Sequence, residues 1–404
     1  MDPKPTTPDP RLAGHMPGLD GLRGLAALLI VYYHYASWQW VHTFPGEPTD
    51  TMRTTTALLQ YGWLGVDVFF VLSGFLITGI LIKTRTHPHY FKYFYARRAL
   101  RIFPLYYAAL VGALIVAPLL LTTGPGEEAA LQHQAWLWLY GTNFAMAFGP
   151  DGLYGQGWMS LRHFWSLAVE EHFYLVWPLI VYLTPPRRLG HLCLVFIAAG
   201  IASRLACYAW FDPQRVGLIV RAITPCHIDK LAVGGLLAFT LHHNHTTLER
   251  LRPWATSALA ATLIFLTACG IASVRHETFL MQNVGYPLIT LASAGAIVLA
   301  LSAKPTSLLS RLLTSRPAVM LGTYSYGMYV WHNIPRYWLG HQGLGPKIAG
   351  LLHLNASAGF LVSGVVACAG SILVAMVSYH AFEAWFLKLK KHFSVREPTD
   401  PDKA

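Results

Sequence analysis

Apolar residues in this chain cluster in runs of about 20, the length a helix needs to cross a bilayer, separated by short polar connections. On that criterion ten segments predict helices: 21–41, 59–82, 102–122, 164–184, 191–211, 222–241, 254–274, 285–303, 318–337 and 356–380. The expected fold is all-α and polytopic, with about ten transmembrane helices. Residues 123–163 break the pattern. They are rich in Gly and Trp and contain a short apolar run, Ala135–Tyr140. We read 131–148 as interfacial or re-entrant, because an eleventh crossing would invert the later basic loops. Residues 1–17 are polar and Pro-rich, without the apolar core or cleavage site of a signal peptide, and predict a disordered arm. Residues 18–390 predict one transmembrane domain. Residues 391–404 are charged and predict a disordered tail. No internal repeat or low-complexity segment is evident.

Composition agrees with a membrane protein. Only 12% of the residues are charged, against about 25% in an ordinary soluble domain. The net charge of +11 is informative through its distribution. With the N-terminus placed inside, the inner segments hold 21 of the 30 Lys and Arg residues. That asymmetry follows the positive-inside rule and puts both termini in the cytoplasm. The other nine lie in outer connections or within spans. The five cysteines, Cys193, Cys207, Cys226, Cys269 and Cys368, fall in or beside apolar segments without metal-type spacing. They read as small apolar residues, with no disulfide framework.

The first segment carries two ionisable side chains, Arg23 and His34, eleven residues apart. On a helix, eleven steps return to within about 20° of the starting azimuth and advance about 16 Å. One stripe thus holds a fixed cation at one depth and a titratable base at another. Ionisable groups inside a bilayer are costly and mark function by default. The structural alternative is a snorkelling arginine and a histidine bonded to a neighbouring helix.

Other segments add polar groups at one level. Counting from the outer helix ends, His34, Asp67, Glu170, Glu171, Asp229 and His332 all fall roughly 8–12 Å below the outer surface. Five helices contributing at one depth predict a shared polar chamber, with His163 at its outer rim. A histidine beside a carboxylate suits general-base work. His34 is the candidate base, and Asp67, Glu170 or Glu171 its candidate partner; the spacing does not choose among them. The rival chemistry is proton or ion relay in a transporter.

At the inner level, Tyr93–Pro104 opens the third span with Arg97, Arg98 and Arg101. Arg101 shares helical faces with both of the others, and guanidinium forks suit phosphate oxygens. Topology alone would also place arginines there, but Arg23 at the same level makes an anion site competitive. His242–His245 reads as a solvated inner loop. No nucleotide-binding glycine motif, nucleophile elbow or zinc-type spacing is present, so no metal is expected. Ser73-Gly74 and Ser325–Gly327 read as close-packing sites. Trp136, Trp138, Tyr140, Tyr154, Trp158 and Trp165 suit either sugar stacking or interfacial anchoring.

These stretches together resemble the acyltransferase-3 family of bacterial membrane O-acyltransferases, which modify surface polysaccharides, peptidoglycan, root-nodulation signals and macrolides. The carriers, in family order, are Leu19–Gly24 through His34 (the Arg-ten residues-His pattern), Gly65–Phe75, Arg97–Pro104, His163–Glu171, Gly322–Tyr326 through His332, and Phe382-Glu383. Two positions depart: His172 stands where the family often has glutamine, and His227 where it often has arginine. Either could retune the acceptor site. The chain ends soon after the tenth span, without the fused outer hydrolase-like domain of some members.

The resemblance implies an acyl-coenzyme A donor, commonly acetyl-CoA, entering from the cytoplasm. Arg23, Arg97, Arg98 and Arg101 would hold its phosphates while the pantetheine arm reaches toward His34. A hydroxyl of a carbohydrate or other cell-surface or secondary-metabolite acceptor would receive the acyl group. His34 would act as base, with Asp67, Glu170, Glu171 and His332 as catalytic candidates. His163, Trp165 and Asp229 would face the acceptor. An acyl-histidine relay is a variant. The implied location is the bacterial cytoplasmic membrane, with lipid contacts and no nucleic acid. A transporter or flippase for a lipid-linked sugar is the alternative, although no inverted repeat is apparent.

Overall fold

A computed structural model describes residues 14–42, 50, 52, 60–151, 153–154, 160–242, 247–333 and 343–393. Ten longer helices are numbered here in chain order: α1 (Pro17–His42), α2 (Leu64–Thr84), α3 (Tyr90–Val111), α4 (Trp165–Leu183), α5 (Leu189–Trp210), α6 (Ile228–His242), α7 (Leu248–Ile271), α8 (Tyr286–Ser302), α9 (Arg316–Trp331) and α10 (Ala356–Ser378). Each of the ten expected segments overlaps one of them, although α3 begins well before its segment 102–122, and no strand occurs among the described residues. Six helical stretches are long and apolar enough to cross a membrane among the described residues: Gln60–Thr84, Tyr90–Leu120, Pro186–Trp210, Leu248–Ile271, Met281–Ser302 and Ala356–Phe393. The chain is thus a polytopic helical membrane protein. Of the remaining four helices, α6 and α9 have 15 and 16 residues, while α1 and α4 carry histidine, tyrosine and carboxylate side chains.

Residues 125–148 form three short helices, Pro125–Gln132, Ala135–Trp138 and Thr142–Phe148. At about 1.5 Å per residue none of them can span a bilayer. The segment folds back onto the helical body: Tyr106 donates to the Leu137 carbonyl at 2.6 Å, and Asn143 Nδ2 to Thr224 Oγ1 at 3.0 Å. Its aromatics mostly pack against protein. Tyr140 stacks on Tyr106 at 4.0 Å and Trp138 on Tyr107 at 6.0 Å. Trp158 and His243–His245 lie outside the described residues.

Proline interrupts two helices near the site, Pro104 in α3 and Pro178 in α4. Tyrosines satisfy carbonyls around both breaks, as a low-dielectric setting requires. Tyr95 donates to the Leu175 carbonyl at 2.7 Å, Tyr90 to that of Pro178 at 3.0 Å, and Tyr326 to that of Ile102 at 2.9 Å. These bonds tie α3 to α4 and α9. Capping is conventional where it occurs: Thr247, Ser315 and Asn355 accept from the backbone N–H three residues on, each satisfying a donor that the helix start leaves free.

The expected terminal arm and tail lie mostly outside the described residues. The described part of the tail begins as a short helix, Leu389–Phe393, and the Phe393 carbonyl accepts from Arg97 Nη1 at 3.4 Å. All five cysteines are buried and unbridged.

Helix contacts rely on glycine where backbones meet. A Cβ on Gly74 of α2 would overlap the Leu231 carbonyl of α6, and one on Gly234 of α6 would overlap the Val71 carbonyl. At the α1–α9 contact, a Cβ on Gly322 would overlap the Asp20 carbonyl, and one on Gly24 would lie 2.5 Å from the Gly322 nitrogen. By contrast nothing lies within 4 Å of a Cβ at Gly112. We expect Gly74→Ala to destabilise the detergent-purified protein by about 1–3 kcal/mol through overpacking. Gly112→Ala should be neutral or slightly stabilising. Thermal unfolding of the two variants side by side checks this.

Candidate active site

A cavity of about 410 Å3 is bounded by α1, α2, α3, α4 and α9. Its mouth is basic. Arg23 comes from the second turn of α1, Arg97, Arg98 and Arg101 from the middle of α3, and Lys390 from the C-terminal short helix. Spacing of one and four residues lets the three α3 arginines reach a common space. Asp20 is the acid at this mouth, with its Oδ1 3.5 Å from Arg23 Nη1 and its Oδ2 2.6 Å from His15 Nε2. The Arg98 guanidinium lies over the rings of Tyr174 and Phe94, at 5.5 and 6.0 Å. A mouth with more cations than anions and planar donors has the chemistry that suits anions such as phosphate.

Further in, α4 supplies Ser166, Glu170, Glu171 and Tyr174 to the lining. Ser73 Oγ donates to Glu170 Oε1 at 2.5 Å and lies 2.9 Å from the Tyr174 hydroxyl. Glu171 Oε1 is buried without a hydrogen-bond partner among the described residues.

Three histidines meet beyond the inner end of this cavity. The His34 and His332 ring centroids lie 4.9 Å apart, and those of His163 and His332 4.6 Å. His34 Nδ1 is 2.9 Å from the Ile30 carbonyl, and His332 Nδ1 is 2.8 Å from that of Tyr329. A carbonyl only accepts, so both neutral rings hold their proton on Nδ1 and leave Nε2 unprotonated. His163 has the other tautomer: the Asn333 amide donates to its Nδ1 at 2.9 Å, which puts the proton on Nε2.

A second, small pocket is lined by His34 and His163 together with Tyr33, Trp63, Asp67, Trp165, Arg221, His227, Lys230, His276 and Tyr286. Val66 and Tyr329 line both this pocket and the large cavity. The partition is fastened at its top. The Tyr329 hydroxyl donates to the His163 carbonyl at 2.8 Å and lies 2.5 Å from Ser166 Oγ.

The expected single chamber is therefore two adjoining cavities. His34, His163, Asp67 and Trp165 line the small pocket, and His332 packs against its histidines. Glu170 and Glu171 line the large cavity with Arg23, Arg97, Arg98 and Arg101. Asp229 lines neither. It bonds Arg204 of α5 at 2.8 Å, both side chains being almost fully buried, and Arg204 also donates to the Cys226 carbonyl at 2.8 Å. Of the three candidate carboxylate partners of His34, Glu170 accepts from Ser73 and Glu171 lines the large cavity. Asp67 forms an ion pair with Lys230, whose ammonium also sits 4.1 Å from the Tyr286 ring centre. The orienting contact of His34 is a backbone carbonyl.

Lys230, Arg204 and Arg221 had no assigned role in the sequence reading. The signal for the first two was the buried acid each must neutralise, since an isolated buried charge is prohibitively costly. Of the two family departures, His227 lines the small pocket, with its ring 5.1 Å from Trp165. His172 lies apart, its Nδ1 2.7 Å from Thr224 Oγ1.

Comparison with known proteins fits this arrangement. The pattern of the acyltransferase-3 family, described as an acyltransferase domain, matches residues 16–380. The peptidoglycan O-acetyltransferase OatA of Listeria monocytogenes is 30% identical over 79% of this chain and 49% of its own length. The O-acetyltransferase OatA of Staphylococcus aureus is 28% identical over 79% of this chain and 50% of its own. The chain thus spans about half the length of these curated relatives. No solved structure matches.

Removing one member of the Asp67–Lys230 pair strands a buried charge. Lys230→Met should cost about 3 kcal/mol or more, and adding Asp67→Asn should recover most of that loss. A double-mutant cycle of thermal unfolding in detergent measures the coupling.

Proposed function

Because the chain belongs to the acyltransferase-3 family, we propose that it moves an acyl group from acyl-coenzyme A to a hydroxyl of a cell-surface carbohydrate. Acetyl is the group named for the relatives, and peptidoglycan the polymer named for that of Listeria monocytogenes. The observation that carries the reading is the shared wall. An arginine-lined cavity large enough for a thioester arm abuts, across Val66 and Tyr329, a pocket lined by the His34 imidazole, whose Nδ1 donates to the Ile30 carbonyl.

In this reading Arg23, Arg98 and Arg101, with Arg97 and Lys390, hold the phosphates of the donor at the mouth. The pantetheine arm lies along the cavity, about 16 Å being available between the levels of Arg23 and His34 on one helix. The acceptor hydroxyl enters the small pocket between Trp165 and His163. His34 Nε2 takes its proton as the oxygen attacks the thioester carbonyl. The carbon–sulfur bond then breaks, and the imidazolium returns the proton to the departing thiolate. His332, tilted against His34, and the Nε2–H of His163 add polarity where charge develops. Ion-paired Asp67 and Asp229 hold the helices that frame the pocket, and Glu170 and Glu171 temper the arginine field.

The distribution of Lys and Arg supports a mouth open to the cytoplasm, with both chain ends on that side, in a bacterial inner membrane. A transporter accounts for buried charges equally well. Family membership and the juxtaposition of anion mouth and base favour transfer.

With radiolabelled acetyl-CoA and envelope fractions, His34→Ala in nanodiscs should lower transfer about 100-fold or more while CoA binds within about twofold of wild type. Near-normal transfer would remove His34 as base. Arg98→Ala or Arg101→Ala should weaken CoA binding about tenfold, the loss expected of a charge-assisted contact. Isothermal titration with CoA measures it, and unchanged affinity in the double variant would remove the phosphate role.

A further inference from the structure

The rim of the small pocket carries charges that acyl transfer itself does not use. Arg221, on the short helix Val216–Ala222, and His276, on the connection from α7 to α8, both line the pocket. Glu277 Oε1 lies 3.5 Å from Arg221 Nη1, and Oε2 lies 3.9 Å from Arg275 Nη2. Arg221 Nη1 also lies 3.0 Å from His276 Nε2. Burial and the neighbouring Arg221 push the His276 pKa down to about 4, so the ring is neutral near pH 7 and accepts from Arg221.

Arg162 immediately precedes His163 and is half-buried. Its guanidinium lies in the fields of Arg221 and Glu277 and makes no hydrogen bond or ion pair among the described residues. Burial, then Arg221, lowers its pKa, as befits a cation that the protein does not itself neutralise. Three arginines therefore share one carboxylate. The scaffold beneath them is fixed. Tyr208 donates to Gln282 Oε1 at 2.8 Å, Gln282 Nε2 donates to the Gly217 carbonyl at 2.8 Å, and a Cβ on Gly217 would lie 2.7 Å from the Glu277 carbonyl. Trp63 lines the same pocket as Arg221, backed by Tyr286 with ring centres 5.7 Å apart.

We propose that Arg162 and Arg221 form an anion subsite next to the histidine pocket, and that the acceptor is an acidic carbohydrate with a carboxylate or phosphate near the hydroxyl to be acylated. A bidentate guanidinium contact would both bind this group and set the register of the sugar against His34. The proposal deepens the acyl-transfer reading and rests on it for the identity of the reacting hydroxyl, while the subsite is read by binding alone.

The test uses the full chain in nanodiscs of zwitterionic lipid. The probes are an oligosaccharide of alternating N-acetylglucosamine and glucuronic acid and its methyl ester, which keeps the shape and removes the charge. Thermophoresis should give the acid an affinity about tenfold higher than the ester. Arg162→Gln and Arg221→Gln should each remove most of that difference, leaving ester and CoA affinities unchanged. Equal binding of acid and ester, binding of neither, or a preference that survives both substitutions overturns the subsite. Acid binding that anionic lipid abolishes in the wild type would assign the subsite to a lipid headgroup and overturn the acceptor reading. CoA titrated into the same samples separates the two readings: lost CoA binding with an intact acid preference sinks only the proposed donor.

Discussion

Backbone contact between α1 and α9 is the constraint on which both cavities depend. In lipid, helices gain little from burying apolar surface against each other, so close van der Waals approach must hold them. Gly24 and Gly322 permit that approach, with the Asp20 carbonyl seated where a Cβ of residue 322 would be. The same pair of helices then serves both ends of the site. Toward its start α1 delivers Asp20 and Arg23 to the basic mouth beside Gly322 and Thr323 of α9. Further along it delivers His34 to His332, at the end of α9. A shift of one turn between the two helices would separate the imidazoles.

Charge pairing fixes the neighbouring helices in turn. Asp229 and Lys230 are adjacent in sequence, yet each bonds a different helix, because successive residues on a helix point about 100° apart. Asp229 reaches Arg204 on α5 and Lys230 reaches Asp67 on α2. Helix α6 is thereby clamped from two sides, and Lys230 and Asp67 form the floor on which His227 and Tyr286 pack. Buried pairs of this kind add little net stability over apolar packing but strongly penalise any arrangement that parts them.

Much of the architecture was readable from the apolar runs, since length and polarity alone decide whether a segment can be a buried helix. The stripe of Arg23 and His34 was readable too, because helical periodicity is rigid over eleven residues. The partner of His34 was not. Counting along a helix gives depth but no azimuth around the bundle, so carboxylates at one depth looked like one chamber. In the structure Glu170 and Glu171 face the arginines, Asp67 faces a lysine, and Asp229 faces neither cavity. The orienting group of His34 is the carbonyl of Ile30, which carries no sequence signature. Arg162 was equally silent, since a lone arginine in a connection looks like any solvated cation.

The wall made by Val66 and Tyr329 has a bearing on the energetics of the host cell. A reaction that joins compounds from opposite faces of a membrane needs contact between them but tolerates no continuous water path, because such a path would dissipate the proton gradient. A wall of single residues that line both cavities, with Tyr329 held by the bonds of its hydroxyl to the His163 carbonyl and to Ser166, would reconcile the two requirements under the proposed transfer. In that reading the acyl carbon and the attacking oxygen meet where one of these side chains gives way, while the rest of the wall limits a continuous water path.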